Sequence, residues 1–205
     1  MKKLFYTRLT FGFYYLFLGT WIGSIIAIAV AAPATFQTIR SYQAAPGIAP
    51  FNASLFQDQW SDIVAGAAVG ETIDRLINVH LICAMGLVVT IVILRALTAG
   101  HIRRLLSFLR ISLLMCVVAL LAVHIYLTQP AMHTLRDTMY NPKIEQVERD
   151  TARTEFQSIH KLSEQLTGLS ALLLTGMLVI SPFIYKTEQL ALLTLTQSHN
   201  QNQET

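Results

Sequence analysis

Charge is absent from four long stretches of the chain: 31 residues from Leu9 to Ile39, 19 from Leu76 to Leu94, 25 from Ile111 to Leu135 and 21 from Gln165 to Tyr185 hold no Asp, Glu, Lys or Arg. A helix rising 1.5 Å per residue needs about 20 apolar residues to cross roughly 30 Å of hydrocarbon, and each stretch supplies them. A charge at the bilayer centre costs about 3 kcal/mol or more on insertion scales, so excluding it four times marks a membrane protein. Composition agrees, with 53% hydrophobic and 13% charged residues against about 25% charged in soluble domains. The expected fold is all-α, a polytopic membrane protein of four transmembrane helices with a helical cap on the outer face. The spans are predicted near residues 9–32, 73–97, 105–128 and 162–185, with external links 33–72 and 129–161 and a tail 187–205.

Arg and Lys placement sets the expected orientation, because cytoplasmic flanks carry the positive excess. Lys2, Lys3 and Arg8 precede the first span, and Arg95, Arg103, Arg104 and Arg110 fill the second link, both without an acid. Ten of the twelve acids fall between Pro33 and Asp74 or between Gln129 and Glu164, in and beside the other two links. Both termini are therefore expected in the cytoplasm of a cell membrane, the inner one if the host is bacterial. The net charge of +3 sits at segment ends rather than in a stripe, so the expected surroundings are lipid and a membrane partner or second copy, not nucleic acid. The first apolar run is about 24 residues before Pro33, longer than the roughly 7–15 of a secretory signal, and reads as an uncleaved anchor. Pro33, Pro46, Gly47 and Pro50 exclude a single helix from the first half of the first external link.

From Ser54, the residues Phe56, Trp60, Ile63 and Val64 recur at helical spacing, which predicts a short amphipathic helix joined to or just before the second span. Gly66 and Gly70 have a small-xxx-small spacing. In the second external link, Asn141-Pro142 reads as a helix start. Ile144, Val147, Phe156, Ile159, Leu162 and Leu166 then trace one face of a helix from about Asn141 to Pro182, long enough to project beyond the bilayer.

Leu18-Gly19-Thr20-Trp21-Ile22-Gly23 with the exit Ala32-Pro33-Ala34-Thr35-Phe36, Gln129-Pro130 with Leu135-Arg136, and Phe156-Gln157-Ser158-Ile159-His160-Lys161-Leu162-Ser163 resemble the four-span family related to transmembrane protein 205. The likeness covers most of residues 10–185. It rests on a Gly-rich first span at Gly19 and Gly23, an Ala-Pro-x-x-Phe exit at Pro33 and Phe36, Pro130 after the third span, and Phe-x-x-x-His-x-x-Ser at Phe156. The chain departs from the family at Ile159, where Leu is commoner, and in a Pro-rich insertion before Phe51. The resemblance implies a fold and a membrane location and no reaction.

The candidates for chemistry are histidines. At 1.5 Å per residue, His80 lies about 10 Å and His124 about 6 Å inside the outer boundary, with His160 at that boundary, so three imidazoles are expected in one layer with Ser163 and Arg136. Such rings either donate to nearby carbonyls and hydroxyls, share a haem or copper site, or carry protons. His160, four residues after Phe156 and three before Ser163, is expected on the inward face, joined to His124, His80 or Arg136. His101, His133 and His199 read as solvated. Cys83 and Cys116 read as small packing residues near mid-membrane, Glu71, Asp74 and Arg75 as interfacial charge that can flank a mouth with Arg136, and Asn52-Ala53-Ser54 as a glycosylation acceptor.

No phosphate-binding glycine loop, His-Glu-x-x-His or Gly-x-Ser-x-Gly occurs, and the interior of no span carries an acid for a proton relay. The function expected is a non-enzymatic membrane component that binds a partner or small ligand at its outer side, without a cofactor. The alternatives are a haem- or metal-binding redox protein using His80, His124 and His160, and a subunit of a small-solute export complex.

Overall fold

The computed structural model describes residues 2–43, 60–98 and 104–201, with side chains over 4–41, 61–97 and 107–184. The regular elements within them are helices: α1 (Lys2–Gln43), α2 (Trp60–Thr98), α3 (Arg104–Val123), a π-helical segment (His124–Thr128), α4 (Gln129–Met139) and α5 (Gln146–Gln201). Four rods are long and apolar enough to span a bilayer, Leu4–Ser41, Ser61–Leu97, Ser107–Met139 and Gln146–Ile184. In the most apolar part of each, only 17 to 28% of residues are buried, so most of the hydrophobic surface faces outward. In water that surface would drive aggregation; in lipid it is the solvated face. The protein is a multi-pass, all-helical membrane protein.

One face of each helix builds the core. Tyr14, Leu18, Trp21 and Ile25 of α1, Cys83, Leu87 and Ile91 of α2, Leu114, Val117 and Leu121 of α3, and Leu174 and Met177 of α5 form one buried cluster, at the three- and four-residue spacings that share a helix face. α1 packs chiefly on α2, and α3 with α4 on α5; contacts between α1 and α5 join the two pairs. Cys83 belongs to this core while Cys116 is exposed, so the two thiols do not pair.

The helices run further than the breakers in the sequence predict. Pro33 lies inside α1, which continues to Gln43, and Pro182 lies inside α5, which reaches Gln201. Each Pro removes a single N–H from its ladder, and where lipid offers no alternative partner the flanking residues stay helical. Of the two placements expected for the amphipathic helix, the described part, from Trp60, is joined to the second span as the first part of α2. The third span also continues through Gln129-Pro130 into α4, where Pro130 occupies the first turn.

Asn141-Pro142 is a turn rather than a helix start. Asn141 Oδ1 accepts from the Lys143 N–H at 3.0 Å, and the Ile144 N–H reaches the Asn141 carbonyl at 3.3 Å. α5 begins only at Gln146. The bundle end formed by α4, the first turns of α2 and α5 and the last of α1 is the cap end. There Arg40 Nε of α1 binds Asp62 Oδ1 of α2 at 2.9 Å. Pro46, Gly47, Pro50, the Asn52-Ala53-Ser54 acceptor, Phe56, His101, Arg103 and the side chains of Trp60 and His199 lie outside the described residues.

Candidate functional site

Two of the expected histidines meet at one cavity. Its volume is about 100 Å³, and its lining comes from all four rods: Trp21, Ile25 and Ile28 of α1, Ile77 and His80 of α2, Leu120, Leu121 and His124 of the third, and Ser163, Leu166, Thr167 and Ser170 of α5. Four apolar faces converge here, and the polar residues interrupt each face one at a time.

Each imidazole is held by a hydroxyl. His80 Nε2 lies 2.8 Å from Ser24 Oγ, and that hydroxyl donates to the Trp21 carbonyl at 2.7 Å. The Trp21 indole stacks on the His80 ring with centroids 5.7 Å apart and planes 25° from parallel. His124 Nδ1 lies 3.0 Å from Thr128 Oγ1 and 3.3 Å from Ser163 Oγ, while the Thr128 hydroxyl donates to the His124 carbonyl at 2.9 Å. That carbonyl also accepts the Gln129 N–H, five residues on, which closes the π turn. A π turn next to Pro130 has a physical reason: a Pro lacks the N–H that a regular ladder would use there. Two imidazoles in one cavity were legible from depth alone. The hydroxyls that hold them were not, except Ser163.

His160 is elsewhere. Its side chain is 54% exposed, stacks on Phe156 at 5.8 Å and pairs with Glu164 Oε1 at 3.3 Å along α5. The inward face of α5 runs through Ser163, Leu174, Met177 and Ser181, and His160 lies off it. The expected three-histidine layer therefore reduces to two, and among the described residues no three His, Cys, Asp or Glu side chains come together as a metal-ligand set.

Arg136 joins another cluster, at the cap end. Its guanidinium reaches His133 Nδ1 at 2.9 Å, His133 Nε2 lies 3.5 Å from Asp74 Oδ1, and Gln129 Nε2 donates to the same carboxylate oxygen. This clasp ties α2 to α4. His133, expected to be solvated, is a member, and Asp74 is more than interfacial charge. Gly70 serves the clasp rather than a helix pair: a Cβ there would sit 2.6 Å from an Arg136 guanidinium nitrogen. Glu71 and Arg75 form an exposed pair with each other at 2.9 Å. Of the other motif residues, Gly19 and Gly23 have open space where a Cβ would go, Pro33 lies within α1 and Phe36 is half-buried beneath Arg40.

Sequence reasoning missed a second buried polar layer at the opposite end. Arg110 is 1% exposed, with its guanidinium carbon 5.7 Å from the centre of the Tyr14 ring, and the Tyr14 phenol meets the Ser181 hydroxyl at 2.9 Å. Arg110 read as loop charge because it borders a charge-free run. Since α3 begins at Arg104, it already lies inside the bundle. Between this layer and the histidine cavity sit Leu18, Leu87, Val117, Leu174 and Met177, each at most 1% exposed. They separate the two polar layers with packed hydrocarbon.

The fold and site define the chain as a multi-pass helical membrane protein with a small histidine-lined cavity. Comparison with family models, with curated proteins and with solved structures found no match.

Proposed function

We propose that this protein is a non-enzymatic component of a cell membrane, with both termini cytoplasmic, that binds a small ligand from the outer side in the His80–His124 cavity. The observation that carries the reading is the pair of oriented imidazoles in one cavity. Polar rings within a membrane span are costly unless used or satisfied, and here each half-buried ring has one nitrogen bonded to a hydroxyl and the other without a partner among the described residues. Orientation follows from the acid-free basic clusters, which put the cap end outside.

Binding is favoured over conduction by the dry layer below the cavity. A solute would have to part five fully packed apolar residues to reach the Arg110–Tyr14 layer. An export role therefore requires a further partner or a large rearrangement. A metal ion between His80 and His124 is the second reading, favoured by the free nitrogen on each ring, since imidazole is the commonest metal ligand. A haem is disfavoured by size: about 100 Å³ is well under the roughly 300–1,000 Å³ of pockets for drug-sized ligands.

The test uses Trp21 as reporter. In a Trp60→Phe background Trp21 is the sole tryptophan, and its emission in detergent should shift saturably with members of a panel of molecules of three to eight non-hydrogen atoms. Ser170→Leu, which fills the cavity, should abolish the response. If no member shifts the emission, or if Ser170→Leu responds equally, the reading falls. Metal analysis and an absorption spectrum of the same preparation test the second reading, through stoichiometric copper or a Soret band.

A further inference from the structure

Proton placement at the two rings limits what the cavity can accept. The single Ser24 hydroxyl proton goes to the Trp21 carbonyl, so Ser24 Oγ can only accept from His80 Nε2, which must carry the ring proton. In the neutral ring, the form a low-dielectric site favours, Nδ1 is then a bare acceptor. The same reasoning holds at His124. The Thr128 proton goes to the His124 carbonyl, so Nδ1 carries the ring proton, shared with Thr128 and Ser163 oxygens. His124 Nε2 is left as the second bare acceptor.

The cavity thus presents two acceptors whose tautomers are fixed from behind by α1 and by the π turn. Ser170 is already committed to the Leu166 carbonyl at 2.9 Å, which leaves the Ser163 and Thr167 hydroxyls as adaptable groups on the same wall. No Asp or Glu lines the cavity, and Asp74 beyond it is engaged by Gln129 and His133, so a cation would enter without a carboxylate in contact and an anion would face two lone pairs. Size adds a limit. A closed cavity of about 150 Å³ holds benzene, six non-hydrogen atoms, so this partly open one of about 100 Å³ buries about four on the same scale.

We infer that the cavity selects an uncharged molecule of about four non-hydrogen atoms bearing at least two polar hydrogens, of the small amide or diol class, and rejects anions and acceptor-only molecules of the same size. The inference rests on the reading of the cavity as a ligand site.

Acetamide, acetone and acetate share one four-atom skeleton and a methyl signal, from one methyl in acetamide and acetate and two equivalent ones in acetone, and differ in offering two polar hydrogens, none, or a negative charge. Saturation-transfer NMR on the methyl signal, with the full chain in detergent, compares them with one readout. Acetamide should bind saturably and at least tenfold more tightly than either of the others. Thr128→Val keeps the ring but frees its tautomer, and should narrow that preference. Equal binding of acetone, or tighter binding of acetate, would overturn the acceptor assignment while leaving the ligand site standing, as would a preference unchanged in Thr128→Val. Acetamide binding that survives Ser170→Leu would place it outside the cavity and overturn the inference. Binding of none of the three, with no response in the Trp21 panel, would remove the ligand site and the inference together.

Discussion

Gly86 is where the packing between α1 and α2 is most exposed to test. A Cβ there would lie 2.5 Å from Cε2 and 2.6 Å from Cδ2 and Cζ of Phe17, closer than carbon atoms approach without one of them moving. Gly86→Ala therefore sets two effects against each other. Ala favours the helix by about 1 kcal/mol over Gly, whereas forcing a methyl into an occupied contact costs about 1–3 kcal/mol in displaced side chains. The ring is the part that moves, because the clashing atoms are its far edge, and moving it uncovers the seat on α2. In a Phe17→Ala background only the favourable effect remains, so the same Gly86→Ala change should stabilise by about 1 kcal/mol. A double-mutant cycle on thermal unfolding in detergent reads the difference, about 1–3 kcal/mol, or on the order of 2–10 °C if the scale for soluble chains of this size applies. If Gly86→Ala raises the melting temperature equally in both backgrounds, Phe17 does not occupy the Gly86 surface and α1 does not pack on α2 there.

Three further outcomes follow from the polar groups. Asp74→Ala should cost about 1–3 kcal/mol, because the Gln129 amide loses its acceptor while its own Oε1 is already buried without a partner among the described residues; Glu71→Ala, in an exposed pair, should cost well under about 1 kcal/mol, and equal melting of the two variants would dissolve the clasp. His160→Ala should be close to neutral, within about 0.5 kcal/mol, because an exposed ring paired with Glu164 holds nothing else in place; a large loss of stability would return His160 to the core. For orientation, with Cys83 and Cys116 removed, a cysteine at Gln146 should react with an impermeant thiol reagent on intact cells and one at Lys3 only after permeabilisation. The reverse labelling would invert the topology.

The four rods were legible because exclusion of charge is a strong demand repeated over whole segments. Their ends were not, since Pro33 and Pro182 read as stops and lipid withdraws the water that makes stopping cheap. His80 and His124 were placed by depth along the helix, which needs only the rise per residue. His160 was lost through angle: it follows half-buried Ile159 by about 100°, and the boundary between inward and outward faces falls between them. His133 needed tertiary information. Only when α4 continues the third rod does it come alongside Asp74, 59 positions earlier in sequence.

The π turn at His124–Thr128 also fixes how this chain tolerates changes in length. A π turn accommodates one residue more than an α-helix needs, so the rod carries its surplus residue at the level of the cavity. Removing one residue from a regular helix turns everything beyond it by about 100° and shifts it about 1.5 Å. Within 125–127 the same deletion would be absorbed: the rod would close into a plain α-helix, Val117 and Leu121 would keep their neighbours below, and Gln129, His133 and Arg136 would still meet α2 above. What such a shortened chain would lose is the seat of the His124 ring, since the Gln129 N–H reaches the His124 carbonyl only across the longer turn, and Thr128 would no longer stand four residues on from His124, where its hydroxyl meets both the carbonyl and Nδ1. The span and its cap are thus indifferent to that residue, and the cavity is not.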